Sequence, residues 1–105
     1  MISRAKYFRG AVLNSSFVGT GPMDPRAGLC WRVAAGGVGV LPDARELGGD
    51  LMLVVWNADG ASAFDVEDND GGAVANIPSG EVRLIALSDN TTQAGVWHVA
   101  TVVFA

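Results

Sequence analysis

The sequence predicts an all-β domain: a small antiparallel β-sandwich or barrel, jelly-roll-like, of seven to eight short strands behind an extended N-terminal arm. Short apolar or alternating runs recur at spacings of roughly 8–12 residues. Gly, Pro, Asn and Asp clusters separate nearly all of them. No helical pattern of useful length falls between the strands, which argues against a parallel α/β sheet. The 105 residues suffice for one domain, divided into an arm with a Gly/Pro-rich loop (1–28) and a β-sandwich body (29–105).

Residues 1–9 read as one amphipathic turn or an extended arm. A first strand is expected within 8–18, interrupted at Asn14-Ser15-Ser16. The stretch Gly19-Thr20-Gly21-Pro22-Met23-Asp24-Pro25-Arg26-Ala27-Gly28 is loop chemistry and sets the arm apart from the body. Residues 29–33 alternate, with Leu29, Trp31 and Val33 facing one way and Cys30 and Arg32 the other. Gly36-Gly37 turns the chain into a short strand, 38–41, closed by Pro42-Asp43. Residues 43–50 make a loop with a helical turn stopped at Gly48.

Leu51-Met52-Leu53-Val54-Val55-Trp56 is apolar throughout and too short for a helix, so it reads as a buried strand. Asp59-Gly60 is a hairpin signal leading to 63–66, with Phe64 and Val66 inward. Asp68-Asn69-Asp70-Gly71-Gly72 turns again, then come a strand at 74–77, a turn at Pro78-Ser79-Gly80 and a strand at 82–87. The last strand, 96–104, is apolar on both faces. Val96, Ala100, Val102 and Phe104 share one face with His98, and Trp97, Val99 and Val103 share the other with Thr101. The spacing is not an exact repeat, which argues against a solenoid.

Half of the chain is hydrophobic and only 17% is charged. With so few charges some apolar surface stays exposed on a monomer, and such surface marks contacts with other chains. The net charge of −4 is unevenly placed. Residues 1–32 hold five cations (Arg4, Lys6, Arg9, Arg26, Arg32) and one acid, Asp24, whereas 33–105 hold two cations and ten acids. A basic start on an acidic body suits docking on an acidic protein surface, a neighbouring copy included. The rival, nucleic-acid binding, lacks a dense Lys/Arg cluster or a recognised motif. No run reaches the roughly 18 apolar residues of a membrane helix, so no membrane partner is expected.

No catalytic, cofactor or metal site is expected. His98 is the only histidine, and no G-x-S-x-G elbow presents a serine to it. Cys30 is the only cysteine, which excludes an internal disulfide and a thiolate cage. The acidic run Asp65-Val66-Glu67-Asp68-Asn69-Asp70-Gly71-Gly72 fails as an EF-hand loop. With Gly71 at the sixth position, Val66 is first and Ile77 twelfth, and neither side chain can ligate. Gly36-Gly37-Val38-Gly39 precedes neither Lys-Ser/Thr nor a helix, so it is no phosphate loop. Trp31, Trp56 and Trp97 sit in apolar strands, where core or subunit packing is the ordinary role. A carbohydrate-stacking surface is the alternative.

The order of turns carries a resemblance. Leu41-Pro42-Asp43-Ala44, Trp56-Asn57-Ala58-Asp59-Gly60, Phe64 through Gly72, Ile77-Pro78-Ser79-Gly80-Glu81-Val82 and the ending Asp89-Asn90-Thr91-Thr92…Gly95-x-Trp97 together span about residues 38–97. In this the chain resembles the small β-modules of tailed-phage virions: capsid decoration (cement) proteins, head fibres and the attachment domains of tail fibres. The resemblance implies a non-enzymatic structural protein and a homotrimer, and an arm followed by one module suits the capsid surface better than the tail. Its partners would be itself and the major capsid protein or another virion protein. The docking arm would then be Arg4, Lys6, Tyr7, Phe8 and Arg9. Doubly apolar strands place the subunit interface at Trp56, Trp97, His98, Val102 and Phe104.

Overall fold

A computed structural model describes residues 15–17, 20–26 and 28–103. Two sheets face each other across one core. The strands are β1 (Ser15–Phe17), β2 (Gly21–Pro22), β3 (Cys30–Val33), β4 (Gly37–Val40), β5 (Met52–Asn57), β6 (Phe64–Glu67), β7 (Ala73–Ile77), β8 (Val82–Asp89) and β9 (Val96–Val102). A five-stranded sheet has the order β1-β3-β5-β8-β9, and a four-stranded sheet the order β2-β4-β6-β7. A single 3-10 turn, Ala44–Glu46, is the only helical element among the described residues.

The all-β class is as expected from the sequence; strand direction is not. Both sheets are mixed. The pairings β1–β3, β3–β5, β2–β4 and β4–β6 are parallel, and β5–β8, β6–β7 and β8–β9 antiparallel. The reason is the path of the chain. From β1 to β6 each strand lies in the opposite sheet to the one before it, so each sheet collects every second strand. Two crossings restore the original direction, and parallel neighbours result. Antiparallel hairpins form only where consecutive strands stay in one sheet, at β6–β7 and β8–β9. The first six strands thus wind as an irregular two-sided coil, without the sequence repeat that would announce one: Ser15 pairs with Trp31, but Cys30 with Val54. No pairing joins the outer strands of either sheet, so the architecture is an open sandwich rather than a barrel.

Three local expectations change because strand pairing overrides local turn chemistry. Asp59-Gly60 does not close a hairpin. Strand β5 already has β3 and β8 on its two sides, so the chain leaves for the other sheet at that turn. Its Asp59 carboxylate accepts backbone N–H bonds from Ser62 (2.6 Å) and Ala61 (3.3 Å), which hold the crossing loop. The polar Ser15-Ser16, expected to interrupt a strand, is strand β1, because pairing with β3 fixes it regardless of propensity. The Gly/Pro stretch also belongs partly to the body. Gly21–Pro22 pairs with β4, and Met23 lies fully buried in the core.

Alternation fills the interior. Trp31 and Val33 of β3, Leu53 and Val55 of β5 and Ile85 of β8 meet Phe64, Val66 and Ile77 of the other sheet, with Met23 and Leu41. Each such aliphatic or aromatic side chain contributes roughly 1.5–3 kcal/mol by leaving water. A satellite cluster of Ala44, Leu47 and Leu87 packs with Leu51 and Trp97 under the 3-10 turn. Buried Asn57 ties the layers together. Its Nδ2 donates to the Ser62 and Ile77 carbonyls, both at 2.8 Å, and its Oδ1 accepts from Asp59 N–H at 3.1 Å. Gly95, at φ 74°, closes the turn before β9. A Cβ there would stand 2.5 Å from the Ala44 Cβ, so only glycine fits.

Candidate functional site

The outward face of the five-stranded sheet is the chain's most distinctive surface. Strand alternation and register lay it out in rows. One row runs Arg32, Trp56, Val82, Val102; the next runs Cys30, Val54, Leu84, Ala100; a third runs Met52, Ala86, His98. No carboxylate occurs in any of these rows. Met52 is 53% and Trp56 43% exposed. The Arg32 guanidinium lies over the Trp56 ring, 5.4 Å from its centroid, a cation–π contact between neighbouring strands. Cys30, Val54, Trp56 and Val82 alone line a shallow hollow of about 280 Å³.

The expected interface residues divide between two faces. Trp56, His98 and Val102 share the outward face. Trp97 takes the inward side, half-buried against the core and the satellite cluster, with Nε1 donating to the Ala94 carbonyl at 2.9 Å. Phe104 and the arm residues Arg4, Lys6, Tyr7, Phe8 and Arg9 lie outside the described residues. The three tryptophans do not form one platform. Trp31 is buried in the core, Trp97 faces inward, and Trp56 alone is exposed on the outward side. Arg32 and Met52 belong to the surface although sequence reasoning did not single them out. Alternation already put Arg32 opposite Trp31; what was missing was the β3–β5 pairing that sets it beside Trp56.

Reactive constellations are sparse. His98 Nε2 lies 2.8 Å from Ser88 Oγ, and that oxygen also lies 3.3 Å from the Val96 carbonyl. When both bonds form, the serine donates to the carbonyl and accepts from the imidazole, the reverse of what activating a nucleophile requires. Among the described residues no carboxylate hydrogen-bonds His98, so the orienting third group of a triad has no counterpart. In the acidic turn, Asp68 Oδ1 accepts from the N–H groups of Asp70 (2.8 Å) and Gly72 (2.9 Å), shaping the hairpin itself. No group of three His, Cys, Asp or Glu among the described residues could hold a metal ion. No helix among them is long and apolar enough to cross a membrane.

A cleft of about 430 Å³ lies beside Met23, Asp24, Arg26, Leu41, Asp43 and Glu46. Its lining holds one cation, Arg26, among three carboxylates. Arg26 grips Asp24 at 2.9 Å and approaches Glu46 at 3.6 Å. The Arg26 hydrogen bond holds the Asp24 carboxyl below the usual range, and Arg45 does the same to Asp43. Thr91 lowers Asp89, and the Ser62 and Ala61 amides lower Asp59. All four carboxylates brace turns. Comparison with protein-family models, with curated proteins and with solved structures finds no match to this chain.

Proposed function

We propose that this chain is a non-enzymatic structural protein of a phage particle, a capsid decoration or head-fibre-base protein that assembles as a homo-oligomer on the virion surface. The observation that carries the reading is the acid-free, apolar outward face of the five-stranded sheet. A sheet face of this kind is ordinarily covered by another protein layer. The turn order over residues 38–97 supplies the phage context by resemblance, and three copies is the number it implies. The basic residues Arg4, Lys6 and Arg9 supply the charge for docking on an acidic capsid protein.

Cosedimentation of the full chain with undecorated capsids tests the reading. Binding is expected, and the triple substitution Arg4→Glu, Lys6→Glu, Arg9→Glu is expected to abolish it while the circular dichroism spectrum is unchanged. Binding that survives the triple substitution removes the arm from the account. Absence of binding to capsids, with labelled protein found on tails instead, moves the chain to a tail-fibre or tail-adaptor role. The carbohydrate reading is left with Trp56 as its exposed indole; unchanged Trp fluorescence across a glycan panel eliminates it.

A further inference from the structure

The two sheets end in four edge strands, and three of them are blunted. Strand β1 spans three residues; β2 spans two and ends in Pro22; β7 pairs with β6 across an irregularity at Val66/Glu67 and lies beside the carboxylates of that strand. Short edges, proline, bulges and charges all discourage a further strand from adding. Strand β9 has none of these over most of its length. It is seven residues long, contains no Pro, Gly, Lys, Arg, Asp or Glu, and keeps unbroken register with β8 from Trp97 to Val102. It is also thinly covered. Val99, on the inward side, is 40% exposed although its neighbour Ile85 is buried. From His98 to Thr101 the strand is exposed on both faces, and among the described residues no strand pairs with its free edge.

We propose that β9 is a self-association seam, pairing antiparallel with β9 of a second copy about a two-fold axis. The inference rests on the reading of the chain as an assembling structural module but not on its three copies, because a two-fold seam closes a pair. An open strand edge presents alternating N–H and C=O groups that only another strand satisfies in series. The two-fold makes the strand its own complement. Charge selects a second copy of this same chain. The molecule is acidic overall, so most approaches bring carboxylates together, but β9 contributes none. The nearest, Asp89, pairs with Val96 at the start of the strand, and its Oδ1 accepts from Thr91. Inward residues must stay inward across the seam, so Val99 faces an odd-numbered residue of the other β9. A single strand pair buries less than the roughly 800 Å² per partner of a standard interface, so the dimer depends on concentration.

Light scattering over a concentration series, with the wild-type chain and the full-length variants Val99→Lys and Ala100→Lys, provides the test. These exposed positions lie on opposite faces of β9. The wild type is expected to dimerise, and each lysine to weaken the dimer by about a hundredfold through like charges across the two-fold. Hydrogen exchange on the wild type supplies a readout that needs no variant: the alternate amides of 97–102 that point away from β8 slow as concentration rises. Protection of those outward amides that is independent of concentration assigns the edge to the chain's own residues 1–14 and overturns the seam. A trimer that neither lysine disturbs overturns the seam and leaves the proposed function standing, as does a monomer that still binds capsids. A monomer that ignores capsids overturns both.

Discussion

The two outward faces of the sandwich are opposite in character. On the four-stranded sheet, Val38, Asp65 and Asn76 form one row, and Pro22, Val40 and Glu67 another. Asn76 Nδ2 donates to Asp65 at 2.6 Å, and the carboxylates stand at the surface. Strand β6 alternates apolar inside and acidic outside, the pattern of a sheet wetted on one side. On the five-stranded sheet the same alternation delivers Val54, Leu84 and Ala100 to the outside and Val55, Ile85 and Val99 to the inside. One core cannot use both sets. Apolar residues beyond what a core requires are not spread over the molecule but gathered on one face and one edge, and the acids are gathered elsewhere.

Breaking the layer that both faces share has the largest expected effect. Phe64→Ala removes a fully buried ring next to Asp65 and is expected to cost about 3–5 kcal/mol, read from the urea midpoint. Trp56→Asp places a carboxylate in the acid-free rows. It is expected to cost about 1–2 kcal/mol at the urea midpoint, because the indole is more than half covered and stacks with Arg32, and to weaken capsid binding of the folded chain about tenfold or more; an unchanged capsid affinity would show that the outward face takes no part. Gly95→Ala, which touches neither face, is expected to cost about 1–3 kcal/mol through its left-handed backbone and the Ala44 contact.

Acid sharpens the contrast between the faces further. The folded-state pKa values of Asp24, Asp43, Asp59 and Asp89 are depressed, so their contribution is fully present above the ordinary carboxylate range. It is lost as pH falls through the depressed values. Stability is therefore expected to hold from neutral pH to about pH 4 and to decline below it, measured by thermal melts along a pH series. The smallest effect belongs to the acidic face: Asp65→Asn is expected to shift stability by less than about 0.5 kcal/mol.

What could be read from the sequence follows from what periodicity encodes. Alternation specifies which residues share a face, so Trp31 and Val33 were separable from Cys30 and Arg32, and the doubly apolar character of residues 51–56 and 96–104 was plain. Alternation does not specify neighbours. Nothing local in Asp59-Gly60 distinguishes a turn within a sheet from one that crosses between sheets, and the parallel pairing of β3 with β5 depends on a chain path that no spacing announces. The same limit governs the site. Trp56, His98 and Val102 were recognisable as apolar-strand residues, but Trp97 faces inward, and Arg32 joined the surface only through its cross-strand partner.

The path that generates the parallel pairs also sets an order of events. In the winding portion, β1 to β6, no strand pairs with the strand next to it in sequence, so each pairing there requires closing a long loop first. Among the described residues the only hairpins, β6–β7 and β8–β9, follow the winding portion. Hairpins form in microseconds, whereas nonlocal pairing is slow. On a ribosome the winding strands emerge before β8 exists to border β5. The winding strands must then wait, their apolar residues uncovered, until β8 supplies the template on which they can close.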